Sequence, residues 1–449
     1  MKHLFSRLSP AQKIILSFLL VIFCGSLLLS LPWVQTESSQ AGYLDHLFTA
    51  VSMVCVTGLF TRSVVDTYNV WGQLLCMLLI QIGGLGILTF IGFFTMESRK
   101  KLSLKDRSIL RDSFSYGHNR TLGQFVRSIF ITTFTIEGLG ALLLMIRFIP
   151  KFGLRKGIFN SIFLAVSAFC NAGFDNFGND SLLGLQTDVL VNITLALLII
   201  TGGLGFMVWF DLATKLGGKQ KGLHFHTKVV LLLTAGLLVF GTVTSLWTEY
   251  NNPGTIGNLS FGDKLLVSFF QTVSMRTAGF ASIDYTAARP VTLFIYLLQM
   301  FLGGAPGGTA GGLKITTFLV LLLFARKEIL GLPHTNMGRR TLSPQLVQKA
   351  FGVTVIFQLT FLLGLLALGL VTDSSHRFIY LIFETVSALA TVGVTANITT
   401  SLNTAGMIVI MLLMFIGRVG PLTLMVSLNH YQPKNAATLH YSKADIMIG

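Results

Sequence analysis

Apolar residues fall into runs of two lengths that alternate along the chain. Long runs cover residues 13–33, 70–96, 125–149, 189–214, 229–247, 350–371 and 407–428. Each is close to the ~20 residues that cross a bilayer as an α-helix. Shorter runs cover 44–54, 158–169, 264–275 and 378–389. About a dozen residues are too few to span a membrane as a helix, so these segments predict re-entrant helices. One further long run is split in two, 291–302 and 313–330, by a stretch of Gly, Ala, Pro and Thr over 303–312. The order long, short, long occurs four times.

The short runs share a string. It reads Phe48-Thr49-Ala50-Val51-Ser52, then Phe163-Leu164-Ala165-Val166-Ser167, Phe270-Gln271-Thr272-Val273-Ser274 and Phe383-Glu384-Thr385-Val386-Ser387. A glycine follows five or six residues after each serine: Gly58, Gly173, Gly279 and Gly393, spaced 115, 106 and 114 residues apart. Near-constant spacing of one motif marks a fourfold internal repeat. The second long runs carry a motif of their own, Gly83-Gly84-Leu85-Gly86 and Gly202-Gly203-Leu204-Gly205, which becomes Gly417-Arg418-Val419-Gly420 in the last repeat.

Composition agrees with a membrane protein. Of 449 residues 52% are hydrophobic and 11% charged, against about 25% charged in soluble domains. The first long run lacks a small-residue cleavage site and reads as a membrane helix rather than a signal peptide. The net charge of +15 is concentrated between repeats, at Arg99 to Arg120, Lys215 to Lys228 and Arg326 to Lys349. Basic loops alternating with spans follow the positive-inside rule and place those loops in the cytoplasm, which removes the need for a nucleic-acid partner. Four cysteines, Cys24, Cys55, Cys76 and Cys170, form no C-x-x-C pair and suggest neither a metal site nor a disulfide.

The expected fold is an all-α integral membrane protein of four M1–pore-helix–M2 repeats in pseudo-fourfold arrangement, with eight transmembrane helices and four re-entrant pore loops. Repeat one covers 1–98, followed by a basic loop over 99–122. Repeat two covers 123–214, with a loop at 215–227. Repeat three covers 228–330 and contains the intramembrane loop 303–312, with a loop at 331–348 after it. Repeat four covers 349–428, and 429–449 is a tail. An even number of spans puts both termini in the cytoplasm of a multi-pass cell-membrane protein, with lipid around it.

Irregular backbone at membrane depth is tolerated where it is buried in protein or lines a watery path. Four glycine loops meeting on an axis can replace an ion's hydration shell with carbonyl oxygens. The candidate filter is Val56-Thr57-Gly58, Asn171-Ala172-Gly173, Thr277-Ala278-Gly279 and Thr391-Val392-Gly393. A single glycine of this kind reads as a packing residue between helices; four at matched positions do not. The short helices would point their C-termini, which carry partial negative charge, at the same centre and favour a cation there. Nothing in this set is catalytic, and no cofactor is expected in the chain. Potassium would be held at the filter backbone alone.

On these residues the chain resembles the potassium-translocating membrane subunit of the bacterial Ktr/Trk and plant HKT superfamily, most closely the Ktr type, over essentially its whole length. The resemblance implies that Gly58, Gly173, Gly279 and Gly393 are the filter glycines and that potassium is the transported ion, since a serine at the first position accompanies sodium preference in part of the plant branch. It also implies a homodimer on a cytosolic ring of nucleotide-binding regulatory subunits of the RCK type, with nucleotide on that partner.

Two gate candidates remain. Gly303, Gly304, Ala305, Pro306, Gly307, Gly308, Thr309, Ala310, Gly311 and Gly312 do not match a phosphate-binding loop, and interrupt a membrane run as a movable plug would. The resemblance implies the same, a gating loop in repeat three. Arg418, a charge inside a span, is functional by default and would oppose cations or pair with the loop's carbonyls. Lys314, Glu137 and Arg127 are assigned no role.

The competing readings are a secondary cation transporter with a midplane site, possibly sodium-coupled, and a voltage-gated channel. The first expects helices broken at paired positions, whereas only repeat three reads as broken. The second needs arginines at every third residue of a helix, and no run has them.

The topology is testable by labelling. Cysteines placed at Lys101, Lys219 or Arg339 are expected to react with impermeant reagents only after cells are permeabilised. Reaction in intact cells would overturn the orientation.

Overall fold

The computed structural model describes residues 10–86, 122–178, 181–218, 220–372 and 377–420. The basic segment 99–121, the stretch 87–96, Lys219 and everything after Gly420 lie outside the described residues.

In repeat one, α1 (Pro10–Leu29) stops short of the expected residue 33. Pro32, with no N–H to donate, opens a 3-10 turn over Pro32–Val34 instead. The re-entrant helix α2 (Tyr43–Val54) begins where the Asp45 carboxylate accepts the Gly42 N–H at 3.0 Å. α3 (Val70–Leu85) is capped by Asn69, whose Oδ1 accepts from the N–H groups of Trp71 and Gly72 at 3.0 and 3.1 Å. The same amide donates to the Trp33 carbonyl at 2.7 Å, tying the start of α3 to the 3-10 turn after α1.

Repeat two contains α4 (Leu122–Phe152), the re-entrant α5 (Leu154–Phe169), α6 (Val189–Gly203) and α7 (Phe206–Leu216). Repeat three contains α8 (Phe225–Glu249), the re-entrant α9 (Phe261–Ser274), α10 (Pro290–Phe301) and α11 (Ile315–Ile329). A two-stranded hairpin, β1 (Asn336–Met337) and β2 (Arg340–Thr341), leads to repeat four: α12 (Pro344–Val371), the re-entrant α13 (Phe378–Leu389) and α14 (Thr404–Val419). Asp188, Ser260, Ser343 and Asn403 cap α6, α9, α12 and α14 by accepting backbone N–H groups, the usual use of such residues before a helix.

The re-entrant segments fall where the short apolar runs predict them. α13 covers the expected residues, and α5 starts four residues earlier than 158. The second helices differ. The run 189–214 was expected to be one helix, yet α6 and α7 meet at 98°. The hinge is Gly205, at φ +88°, and Gly86 (+82°) and Gly420 (+90°) end α3 and α14 at the matching place. Besides the break in repeat three, the described helices thus end within or just after the glycine motif in each of the other repeats. Among the described residues, α1, α4, α8 and α12 are long and apolar enough to cross a membrane, and the α6–α7 pair makes a fifth if counted as one span.

These long helices form the outer wall. On α12, Leu363, Leu366 and Leu370 are 63–78% exposed, and Leu232, Phe240 and Trp247 on α8 are similarly bare, as suits lipid contact. Each pairs with the re-entrant helix of its own repeat. The second helices close the assembly. α3 packs on α5, α6 on α9, α10 on α13 and α14 on α2. Each repeat thus rests on the next and the fourth on the first, so the four re-entrant helices are held in a ring with their C-termini inward.

Candidate ion-conduction site

The motif serine lies in the last turn of each re-entrant helix, and all four serines are fully buried. The chain then turns through a hydrogen bond back to that serine. Thr57, Ala172 and Val392 N–H groups donate to the carbonyls of Ser52, Ser167 and Ser387, each at 2.8 Å. Repeat three is one residue shorter and closes a tighter turn, Ala278 N–H to the Ser274 carbonyl at 2.9 Å. The serine hydroxyls secure the next stretch. Ser52 and Ser387 accept from Gly58 and Gly393 N–H at 3.1 and 3.0 Å, Ser167 accepts from Phe174 N–H at 3.0 Å, and Ser274 donates to the Phe280 carbonyl at 2.6 Å. The motif serine is therefore a clamp on the loop.

Held in this way, the four loops adopt one unusual backbone. Val56, Asn171, Thr277 and Thr391, two residues before each glycine, have φ of +55°, +56°, +70° and +52°. Asparagine tolerates this region, but for β-branched Val and Thr it is an outlier costing on the order of 1–3 kcal/mol. The residue between is not left-handed, and the glycines again have positive φ, from +70° to +101°. Alternating hand turns successive carbonyls to one side, the arrangement a carbonyl-lined path requires.

The glycines meet. A Cβ on Gly58 would lie 2.7 Å from the Ala172 carbonyl oxygen, and one on Gly173 would lie 2.7 Å from that of Ala278. On Gly279 it would strike the Val392 oxygen, and on Gly393 the Thr57 oxygen. The contacts run around the repeats in order and close. All twelve predicted residues thus converge at one place. Outside it lies a cavity of about 790 Å³ lined by Gly58, Gly393, Asp45, Thr61, Thr395 and Asn397, among others.

Residues 303–312 lie against these loops as a compact irregular segment. Its neck is pinned, with Gly303 N–H donating to the Leu313 carbonyl at 2.9 Å and Leu313 N–H to that of Phe301 at 3.1 Å. The loop also occupies the hinge between α6 and α7. Ala305 and Thr309 N–H groups donate to the Gly203 and Gly202 carbonyls at 2.9 and 3.2 Å, and Phe206 N–H donates to the Gly307 carbonyl at 3.0 Å. These bonds satisfy backbone groups that the bend exposes at membrane depth. The Thr309 hydroxyl donates to the Phe169 carbonyl at 3.1 Å, and Gly311 N–H donates to the Thr277 hydroxyl at 3.2 Å.

Arg418 joins this loop to repeat one. Its guanidinium donates to the Thr309 carbonyl at 2.5 Å and to the carbonyls of Gly83 and Gly84. Of the two expected roles, pairing with loop carbonyls is the one the geometry has. Lys314, given no role from the sequence, donates to the Ala310 carbonyl at 2.6 Å, so a second cation holds the loop. The signal was its place two residues past the glycine stretch. Glu137, also unassigned, accepts from the Gln81 amide at 3.0 and 3.3 Å, linking α4 to α3.

A membrane protein whose helices hold a central ring of glycine loops belongs to the ion-conducting or ion-transporting class, and comparison with known proteins makes that specific. The family model described as TrkH, cation transport protein, matches residues 7–438, and the chain belongs to that family. Over 446 residues it is 38% identical to the Ktr system potassium uptake protein B of Bacillus subtilis, covering 99% of this chain and 97% of the relative. It is 39% identical over 453 residues to the potassium/sodium uptake protein NtpJ of Enterococcus hirae, covering 100% and 99%. Its fold is similar to the crystal structure of the potassium transporter TrkH from Vibrio parahaemolyticus, with a TM-score of 0.73 at 17% identity, covering 93% of this chain and 84% of that one.

The loop's anchoring can be measured. In Arg418→Gln the Ala305 and Thr309 amides are expected to exchange hydrogen faster by an order of magnitude, while Thr57, Ala172 and Val392, bonded within the serine turns, keep their protection. Unchanged exchange at Ala305 and Thr309 would mean that Arg418 does not hold the loop.

Proposed function

We propose that this chain is the membrane subunit of a channel-like potassium uptake system. Eight transmembrane segments surround four pore loops, both termini are cytoplasmic, and the repeats divide the chain as its sequence suggests. Dehydrated potassium passes through the carbonyl ring of residues 56–58, 171–173, 277–279 and 391–393. The observation that carries this reading is the closed glycine ring, where the space a side chain would need on each glycine is occupied by a carbonyl of the following loop. The two full-length relatives, a potassium and a potassium/sodium uptake protein, support the choice of ion.

Residues 303–312 are the gate in this reading. The loop touches Thr277 of the third candidate filter loop and is held by Arg418 and Lys314. Its displacement opens the path, and a cytosolic nucleotide-binding ring subunit, acting on a homodimer of this chain, controls it. That the Bacillus relative is named as one component of a Ktr system supports a separate partner.

A secondary transporter with a midplane site is the second reading, favoured by the bend in repeat two beside the break in repeat three. A transporter site would lie between paired repeats, however, whereas here all four loops contribute equally to one ring. That symmetry favours the channel-like path.

Two experiments test the reading. Gly58→Ser is expected to lower potassium-over-sodium selectivity in uptake competition by at least about tenfold, because the side chain displaces a carbonyl worth about 1.4 kcal/mol of discrimination or more. Unchanged competition would reduce Gly58 to a packing residue. Shortening 303–312 should raise potassium flux at equal membrane abundance without the partner, and Arg418→Gln should do so less strongly. The two together should be less than additive, since the groups touch. An assembled, selective protein that conducts no faster without the loop would remove the gate from the proposal.

A further inference from the structure

Glu384 is the second residue of the motif in repeat four, and its side chain is fully buried one turn before Ser387. It reaches the strand beyond the fourth glycine. The Thr395 hydroxyl donates to its Oε2 at 2.6 Å, and the Thr399 hydroxyl donates to its Oε1. The Thr395 oxygen in turn accepts from the Ile398 N–H at 3.2 Å and from the Thr399 N–H at 3.5 Å. Its lone pairs are thereby used and its proton is directed at Glu384, the pattern of a hydroxyl serving an ionised carboxylate. Among the described residues no Lys, Arg or His forms an ion pair with Glu384. Burying an unpaired charge is costly, so Glu384 stays ionised here only with a positive charge nearby, and the two threonine hydroxyls that donate to it leave both oxygens ready to face one.

The position of Thr395 indicates where. It lies two residues past Gly393 and lines the outer cavity together with Gly58 and Gly393. The carboxylate is therefore on the order of 10 Å from the glycine ring by chain reach. The matching residues are Thr49, Leu164 and Gln271. Gln271 makes the same brace in neutral form: its amide donates to the Ser282 hydroxyl at 2.7 Å, and its oxygen accepts from the Tyr285 hydroxyl at 2.6 Å. Two of the four loops are thus tied to their outer strands by a buried side chain, and one of these two ties is charged.

We propose that Glu384 sets the affinity of the glycine ring for the transported cation. From behind the fourth loop its carboxylate supplies the negative charge that raises the ring's affinity for a monovalent cation, while its hydrogen bonds position the strand at Thr395. The ion in the ring is its counter-charge. This rests on the reading of the glycine ring as the cation site. A unit charge at this distance and an intermediate dielectric is worth about a factor of ten in affinity.

The test is potassium uptake at equal membrane abundance, resolving KM from Vmax. Glu384→Gln keeps the shape and one hydrogen bond and should raise KM about tenfold with Vmax within about twofold, whereas Glu384→Asp should recover part of the affinity. Gln271→Glu in the Glu384→Gln background places a carboxylate behind the third loop, where the Ser282 and Tyr285 hydroxyls can both donate to it. It should bring KM back to within about threefold of the parent. If Glu384→Gln does not reach the membrane, Gln271→Glu alone should lower KM by about threefold or more. A KM within twofold of the parent in Glu384→Gln, a loss of Vmax with KM unchanged, or no gain from Gln271→Glu each overturns the proposal. Gly58→Ser separates the two readings: if it shifts selectivity while Glu384→Gln leaves KM alone, only Glu384 is dismissed. If neither changes anything, the ring itself is not the site.

Discussion

No side chain fits where the four loops meet, and the rest of the structure follows from that. Each glycine stands where a Cβ would strike the carbonyl of the following loop. A loop therefore cannot move without its neighbour, and the ring closes only if all four take one backbone path. Three of the four adopt it with a β-branched residue at positive φ, a strain that persists only when surroundings enforce it. The enforcement is visible as the serine turns, the buried re-entrant helices and the cyclic packing of each second helix on the next repeat's re-entrant helix. The repeated string in the sequence is the imprint of these constraints. Its apolar residues bury the short helix, its serine clamps the turn, and its glycine admits the neighbour.

The loop at 303–312 answers a different need. α6 and α7 bend by 98°, which would leave the Gly202 and Gly203 carbonyls and the Phe206 N–H unpaired in the membrane interior. The loop supplies all three partners. Each such bond contributes about 1 kcal/mol net, so the loop is held by a handful of comparable terms rather than by a large apolar interface. An element held that way can be released by a partner's differential binding energy of a few kcal/mol. The same contacts explain why the segment is compact although its composition suggests a flexible plug.

Much of this was legible in the chain. Matched strings located the four loops, and run length separated re-entrant helices from long ones. The bend in repeat two was not legible, because an apolar run has the same composition whether its helix continues or turns at Gly205. Burial periodicity reports what is hidden, not the direction of the axis. The end of α1 was missed for a local reason, since Pro32 and Trp33 are as apolar as the helix before them. Lys314 and Glu384 were passed over because their roles depend on partners distant in space or beyond the motif. Glu384 nevertheless carried a signal: it is the one charged residue in the four copies of the string.

The four repeats are equivalent only at the ring. Repeat three has a turn one residue shorter and carries the loop, repeat two supplies the hinge that receives it, and repeat four carries both Arg418 and Glu384. Each glycine there faces a carbonyl of the following loop, so the four backbones have to match. A loop that packs beside the ring has no such requirement. Were the loop repeated four times, its copies would compete for the space beneath the ring, and four buried carboxylates behind the glycines would need more positive charge than one ion brings. A single covalent chain permits each device to be placed once. That is a physical reason for four repeats to be joined and to differ outside the shared string and its glycine.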